Sequence, residues 1–210
     1  MIRYIFGTDL WLFPELAQSM FSDRASQFSE RLMWDVFVDR KGYERDQYDA
    51  LNPIYVIVED EVGRHAGSMR LLPTMGRTMI NEHFAQALHG GQIRCPDTWE
   101  CTRFCLSPSA SERAAASLFA SAGRLMQEYD IASLIAVFDR SMLRKYRVSG
   151  VTPEILGEEY IFGSKILAGR WRFSQFQLNE LMRRASLDPL ECELALANSS
   201  LEQGRNRFSA

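Results

Sequence analysis

The run from Ile54 to Val58 constrains the fold more than any other feature, because it contains only β-branched and aromatic residues. A strand that does not alternate between polar and apolar residues is typical of the middle of a sheet covered on both faces. Residues 59–63 can turn the chain back, and residues 65–72 predict the antiparallel partner strand, which ends at Pro73. The chain must therefore supply helices for both faces of a sheet.

Helical periodicity in the sequence predicts the helices that cover the sheet. The two best-marked apolar stripes consist of Leu16, Met20, Phe21, Phe28 and Leu32, and of Ala115, Leu118, Phe119, Ala122, Leu125, Met126 and Tyr129. Ser109 and Glu112 have the form of a capping box in front of the second helix. Both helices are amphipathic, as expected for elements that pack on a sheet.

The order of the remaining elements predicts the fold class. Further strands are predicted at residues 2–6, 99–106, 131–138 and 158–168, a basic helix at 140–148 and a last helix at 174–184. Strands that alternate with helices in this order indicate a mixed α/β sandwich with one central sheet. We expect one domain over residues 1–190 and a polar, flexible tail over residues 191–210.

Composition argues against several classes of function. Hydrophobic residues make up 46% of the chain and charged residues 24%, as in ordinary soluble proteins. No apolar run approaches the ~20 residues that span a bilayer, and the N-terminus does not have the pattern of a signal peptide. The net charge of −3 argues against a nucleic-acid partner, and the four cysteines and three histidines show no metal-ligand spacing. We expect a cytoplasmic protein without a metal, a membrane or a nucleic-acid partner.

Several charged residues stand among apolar ones without an obvious partner in sequence. Arg24 lies on the first apolar stripe, Arg70 lies on a predicted strand, and Glu100 and Arg103 share another. A buried charge without a partner costs several kcal/mol, roughly, so these residues should pair with each other or with a ligand.

With these residues the chain resembles the acyl-homoserine lactone synthases, the autoinducer synthases of bacterial quorum sensing. The resemblance covers residues 1–185 and rests on four elements in the family's order. They are Arg24 with Phe28 and Trp34, the DQYD motif at residues 46–49, GSMRLLPT at residues 67–74, and WECTRF at residues 99–104. The resemblance implies a fold similar to the GCN5-related N-acetyltransferases, and a reaction between S-adenosylmethionine and an acyl thioester.

The resemblance also implies a cofactor site in which S-adenosylmethionine serves as a co-substrate and no prosthetic group is needed. The expected binding residues are Arg24, Phe28, Trp34, Asp46, Asp49, Arg70 and Arg103. Trp34 suits the adenine or the sulfonium, the two aspartates oppose the positive charges, and Arg24 or Arg103 can receive the carboxylate. Asp46 and Asp49 are also typical of a solvated loop, and Phe28 and Trp34 of a plain core.

Glu100 and Arg103 are the candidate catalytic residues, with Glu100 as the base that deprotonates the attacking amine. Residues three apart on a regular strand face opposite sides of the sheet, so both can serve one site only if the strand is irregular. We therefore predict a β-bulge between them, a feature that concentrates beside active sites.

The resemblance further implies that the acyl carrier enters a gap between the two strands around Phe104 and Ile135. The candidate lining residues are Met79, Phe84, Phe104, Phe119, Met126 and Phe138, each of which also suits a generic core. Family members that prefer 3-oxo chains often carry threonine or serine just after the strand at 131–138, where this chain reads Val137-Phe138-Asp139. This departure puts a 3-oxo preference in doubt and favours an unsubstituted, branched or aromatic chain.

Arg140, Arg144, Lys145 and Arg147 form a basic stripe on the predicted helix at 140–148. Such a stripe can steer an acidic acyl carrier protein, hold the phosphates of an acyl-coenzyme A, or be a solvated helix face. The donor, acyl carrier protein or acyl-coenzyme A, therefore stays open.

Two other functions remain alternatives. An N-acetyltransferase that uses acetyl-coenzyme A would share the fold but would leave unexplained Arg24, Trp34, Asp46 and Asp49. A non-catalytic sensor of an amphipathic ligand would bind its ligand without forming a product.

Overall fold

The computed structural model describes residues 1–89, 91–161, 163–199 and 201. The strands are β1 (Ile2–Phe6), β2 (Ile54–Glu59), β3 (His65–Pro73), β4 (Thr98–Leu106), β5 (Ser133–Asp139), β6 (Glu154–Ile161) and β7 (Ser164–Trp171). The α-helices are α1 (Pro14–Ala25), α2 (Met79–His83), α3 (Ala114–Glu128), α4 (Met142–Ser149), α5 (Gln175–Ala185) and α6 (Pro189–Ala197). A π-helical segment, Ser26–Arg31, continues α1. None of the helices in these residues is long and apolar enough to cross a membrane.

All seven strands form one mixed sheet, in the order β1-β2-β3-β4-β5-β7-β6. Neighbouring strands are antiparallel except β4 and β5, which are parallel. Every residue of β2 is buried, as its unbroken apolar run predicts. The predicted α/β sandwich with a central mixed sheet is confirmed.

The sheet opens between β4 and β5. These strands pair only through Thr98–Ser133, Trp99–Leu134 and Glu100–Ile135. Beyond Glu100 the two strands continue to Leu106 and Asp139 without pairing with each other. They therefore diverge towards their carboxyl ends and leave a gap, which lies where the sequence predicted it.

Helices cover both faces of the sheet. Helix α3 packs on the face that carries Val56 and Leu71, and α5 and α6 pack beside it. Helix α1 packs on the opposite face against Tyr55 and Ile57. The short helix α2 covers the same face further along, where Ile80 is buried with residues of β5 and β7.

The late strand predicted at residues 158–168 is wrong in extent. The chain forms two strands there, β6 and β7, which pair as an antiparallel hairpin around Gly163 at φ +81°. Strand β6 lies at the sheet edge and has no buried residue, so it lacks the apolar alternation from which a strand is recognised.

The capping box predicted at Ser109 is also wrong. Helix α3 begins only at Ala114, no side chain caps it, and the Ser109 hydroxyl pairs with that of Ser107. A complete capping box instead begins α5, where Ser174 and Gln177 satisfy each other's backbone amides.

The flexible tail predicted from residue 191 is corrected in its first part. Asp188 caps α6 by accepting a hydrogen bond from the Leu190 amide, and Cys192, Leu196 and Leu201 are buried in the main core. Cys192 and Leu196 are about one helical turn apart, and residues 190–197 are mostly apolar, so the predicted polar tail began too early in the chain. Residues 200 and 202–210 of the predicted tail lie outside the described residues.

Gly157 on β6 touches the 3-10 turn Gln86–Leu88, and a Cβ there would lie 2.2 Å from the Ala87 carbonyl oxygen. We expect Gly157→Ala to push the turn away and to lower the free energy of unfolding by about 1–3 kcal/mol, measured by urea denaturation. Gly76→Ala is the control, because its Cβ would meet nothing closer than 3.7 Å. Equal free energies of unfolding for the two variants would show that the turn can move away from the added Cβ without loss of stability.

Candidate active site

Three arginines and three carboxylates form a closed ring on the face that α1 and α2 cover. Going round, the members are Arg24, Glu44, Arg103, Asp46, Arg70 and Asp49, which then returns to Arg24. We call this set the charge ring. It joins α1, the segment between α1 and β2, and the strands β3 and β4.

Each member of the charge ring contacts two members of opposite charge. The six nitrogen–oxygen distances, in the same order, are 2.6, 2.8, 2.9, 2.5, 2.8 and 3.0 Å. Arg24 binds Asp49 through two nitrogens, and Arg70 binds Asp46 in the same bidentate manner. The formal charges cancel, which is the condition under which such groups tolerate burial.

Neighbouring hydroxyl groups complete the hydrogen bonding of the ring. The Tyr55 hydroxyl donates to Asp49 at 2.5 Å, and the Thr102 hydroxyl oxygen accepts from Nε of Arg70 at 2.9 Å. Burial alone would raise the pKa of Asp49, but Arg24 and Arg70 outweigh it and hold this pKa well below its usual range. Asp49 is therefore ionised throughout the physiological pH range.

The ring has a buried side and an accessible side. The side chains of Arg24, Glu44 and Arg70 are at most 1% exposed, whereas Asp46, Asp49 and Arg103 are 13%, 10% and 9% exposed. Nη1 of Arg103 makes only a weak contact, with Met79 Sδ at 3.9 Å, while its other nitrogens bind Glu44 and Asp46. A ligand can therefore reach the ring at Asp46, Asp49 and Arg103.

A β-bulge places Arg103 on the ring. The ladder between β3 and β4 passes from Arg70–Thr102 to Ser68–Cys105, so two residues of β4 oppose one residue of β3. Arg103 has φ +53°, which is uncommon for a residue other than glycine. The extra residue reverses the alternation, so that Arg103 joins the face of Glu100 and Thr102. The predicted bulge exists, and it lies at Arg103 itself instead of before it.

Glu100 is buried where β4 and β5 separate, at 1% exposure. Its two carboxylate oxygens accept hydrogen bonds from the backbone amides of Met79, at 3.0 Å, and Ile80, at 2.5 Å. Glu100 thus caps α2 from outside the helix. Burial raises the pKa of Glu100 to about 7 in spite of these two donors. A carboxyl group with this pKa can hold or release a proton near neutral pH.

Two aromatic residues form a wall beside the ring. Phe28 is buried and stacks on Trp34, with ring centroids 5.3 Å apart and 18° between the planes, and the Arg103 guanidinium lies over Phe28. Trp34 is 43% exposed, so it is the member of the stack that a ligand can contact. All seven residues expected to bind S-adenosylmethionine therefore lie in one region.

The six candidate acyl-site residues lie on two sides of the sheet. Phe104 stacks on Phe119 at 5.1 Å on the α3 side, where Phe138 and Met126 also belong to the core. Met79 and Phe84 belong to the α2 side. The apolar periodicity of each segment identifies buried residues. It does not show which of the two sides of the sheet they occupy or where the sheet opens.

Three members of the site are not predicted from the sequence. Glu44 is fully buried and links Arg24 to Arg103, while Tyr55 and Thr102 complete the hydrogen bonding. The only indication of Glu44 in the sequence is indirect: Arg24 lies on an apolar stripe and therefore requires an acidic partner.

The basic stripe lies at the open end of the gap. Arg140, Arg144, Lys145 and Arg147 are all exposed, and none of them forms an ion pair within the described part of the chain. Helix α4 follows the carboxyl end of β5, which is the end at which β5 and β4 have separated.

A sequence profile of the autoinducer synthases matches residues 13–176. The chain belongs to this family. An acyl-homoserine-lactone synthase of Rhizobium etli is 35% identical over 184 residues, which are 81% of this chain and 86% of the relative. The predicted family and the predicted acyltransferase activity, acyl-homoserine lactone synthesis, are confirmed.

Solved structures agree on the fold. BjaI, a coenzyme A-dependent acyl-homoserine lactone synthase solved with SAM and isopentyl-CoA, superposes with a TM-score of 0.80 at 22% identity over 89% of this autoinducer synthase and 90% of BjaI. An N-acetyltransferase from Lactobacillus plantarum gives a TM-score of 0.56 at 12% identity over 82% of this chain and 99% of its own. The synthase thus shares the N-acetyltransferase fold that the resemblance implied.

Asp49 joins two arginines, so Asp49→Asn would leave positive charge without a partner in the ring. We expect the free energy of unfolding to fall by about 3–5 kcal/mol at pH 7. Because the pKa of Asp49 is lowered in the folded protein, its stabilisation is present above pH ~4 and lost as the pH falls further.

Urea unfolding of both proteins between pH 7 and pH 3 tests this. The difference in stability should shrink towards acid pH, where the protonated carboxyl group resembles the amide. The exposed Glu61→Gln is a control that should not alter stability. A difference that stays constant down to pH 3 would contradict the role of the charged form.

Proposed function

We propose that the charge ring and the Phe28–Trp34 stack bind S-adenosylmethionine, and that the gap between β4 and β5 binds an acyl thioester. The enzyme then transfers the acyl group to the methionyl amine, and closure of the lactone releases methylthioadenosine. The observation that carries this assignment is the position of Arg103 Nη1, whose contact with Met79 is weak, at the accessible side of the ring and on the strand that borders the gap.

The accessible side of the ring complements the charges of S-adenosylmethionine. Asp46 and Asp49 oppose its ammonium and sulfonium groups, and Arg103 binds its carboxylate. Trp34 stacks on the adenine, because it is the exposed member of the stack. Arg24 has a different role from the one expected, since its guanidinium is buried and bound to Glu44 and Asp49. Arg24 positions the carboxylates and does not contact the ligand.

Glu100 suits the role of base in the acyl transfer. Each of its oxygens accepts one amide hydrogen bond and keeps a lone pair, so it can accept a proton from the amine directly or through a water molecule. The amine then attacks the thioester carbonyl, and the thiolate leaves. The irregular backbone at Arg103 and Phe104 offers amides for the intermediate oxyanion, because a bulge leaves part of the ladder unpaired.

Lactone closure requires the methionyl carboxylate to attack its own γ-carbon. Arg103 holds that carboxylate in the proposed complex, while the aromatic wall holds the adenosine at the other end. Fixing both ends favours the folded conformation that the displacement needs.

Glu100→Gln tests the assignment of the base. We expect kcat/KM to fall by about 100-fold or more, because the amide cannot accept the proton. The wild-type rate should rise with pH through about 7, and this rise should be absent from the variant. The measurement is the formation of methylthioadenosine between pH 5.5 and pH 8.5.

Stability must be measured alongside, because Glu100 also caps α2. The raised pKa means that Glu100 stabilises the fold below pH ~4.5 and that this contribution is lost as the pH rises through about 7. Glu82→Gln, which changes a carboxylate on α2 itself, is the control and should keep the wild-type pH profile near neutrality. If Glu100→Gln loses no more activity than it loses folded protein, Glu100 is not the base.

We further propose that the basic stripe on α4 guides the acyl donor into the gap. Both kinds of donor carry negative charge, an acyl carrier protein over its surface and an acyl-coenzyme A on its phosphates. An unpaired basic stripe at the open end of the gap attracts either one, and the attraction weakens as salt is added.

Arg144→Gln distinguishes the donors when kcat/KM is measured with matched acyl groups on both carriers at low and high salt. We expect a decrease of about threefold or more with the acyl carrier protein at low salt, which disappears at high salt. An equal decrease with acyl-coenzyme A would assign Arg144 to the phosphates instead. Arg183→Gln on α5 is the control. If Arg144→Gln and Arg183→Gln have the same kcat/KM with both donors, the proposal is contradicted.

A further inference from the structure

Five aromatic rings meet on the α3 side of the gap. Phe104 of β4 stacks on Phe119, and Tyr146 of α4 contacts Phe119, Phe138 and Trp171 with centroid distances of 6.2, 5.1 and 5.2 Å. The cluster therefore extends from one diverging strand to the other. Tyr146 lies at its centre.

This cluster contains two polar atoms, and only one of them has a partner. The indole nitrogen of Trp171 donates to the Val151 carbonyl oxygen at 2.6 Å. Tyr146 is 7% exposed, and its hydroxyl, which keeps some contact with solvent, forms no hydrogen bond with any of the described residues. Burial raises the pKa of Tyr146, and Cys101, the first residue of β4 beyond the last pair with β5, adds a smaller increase. The hydroxyl is thus protonated and unpaired, on a ring that contacts Phe119 on the β4 side of the gap and Phe138 of β5.

We propose that the Tyr146 hydroxyl is a specificity determinant that selects acyl donors with an oxygen substituent on the acyl chain. This inference rests on the proposed function of the gap as the acyl site. An alkyl chain that displaces water from the hydroxyl would leave it without a partner, whereas a hydroxyl or keto oxygen on the chain pairs with it. Sites built to bind a polar group discriminate more strongly than apolar pockets do.

The proposal revises the expectation drawn from residues 137–139, where a threonine or serine is missing. Phe138 stands there, and its ring lies over Gly169, where a Cβ would be 2.7 Å from Cε1 of Phe138. Phe138 thereby leans towards β7, beside Tyr146. In this proposal Tyr146 of α4 provides the hydroxyl group that a threonine or serine after β5 would otherwise provide.

Tyr146→Phe tests the proposal, because it removes one oxygen atom and keeps the ring contacts. The full chain is incubated with S-adenosylmethionine and an equimolar mixture of thioesters of one chain length, unsubstituted, 3-hydroxy, 3-oxo and ω-hydroxy, and the lactones are quantified by mass spectrometry. We expect the wild type to favour one oxygenated chain, and the variant to lose about 5- to 20-fold of that preference. The KM for S-adenosylmethionine should not change.

Phe138→Leu is the control, because it alters the size of the site and leaves the hydroxyl in place. It should shift the preferred chain length and keep the preference for oxygen. A wild type that favours the unsubstituted chain, or equal preferences in the wild type and Tyr146→Phe, would overturn the proposal. Failure of the folded wild type to form a lactone from any thioester would instead overturn the proposed function.

Discussion

The alternating ring of three arginines and three carboxylates is the interaction on which the rest of the structure depends. A buried guanidinium is tolerated only with its charge compensated, and Arg24 and Arg70 are among the most deeply buried side chains of the protein. Their partners lie in the segment between α1 and β2, which forms little regular structure of its own. The ring therefore fixes that segment on the sheet, and with it the carboxylates that face a ligand.

One backbone irregularity connects the polar and apolar parts of the site. Without the bulge, Arg103 would point towards α3 and Phe104 towards the ring, because side chains alternate along a strand. With it, Arg103 completes the ring and Phe104 stacks on Phe119. In the proposed complex the two substrates approach from opposite faces of the sheet and meet where β4 and β5 separate, next to Glu100.

The sequence predicted those parts of the site that are governed by local rules. The unpaired charge of Arg24 on an apolar stripe required a buried partner, and the spacing of Glu100 and Arg103 required an irregular strand. The partner itself, Glu44, could not be predicted, because a polar loop shows no period that marks one acid as buried. The acyl-site residues were chosen by type, and their division between two faces depends on how far β4 and β5 pair, which is a property of the whole sheet. Strand β6 was not predicted, because an edge strand without buried residues does not show the apolar alternation that marks a strand.

The electrostatics of the site link cofactor binding to the state of the base. The ring is neutral by itself, and burial raises the pKa of the nearby Glu100 to about 7, so both its protonated and its ionised form are accessible near neutral pH. S-adenosylmethionine carries more positive than negative charge. In the proposed complex its ammonium and sulfonium groups lower the pKa of Glu100, because nearby positive charge favours the carboxylate. The base is therefore more fully ionised in the complex than in the free enzyme, and it is charged when the amine that it must deprotonate is present.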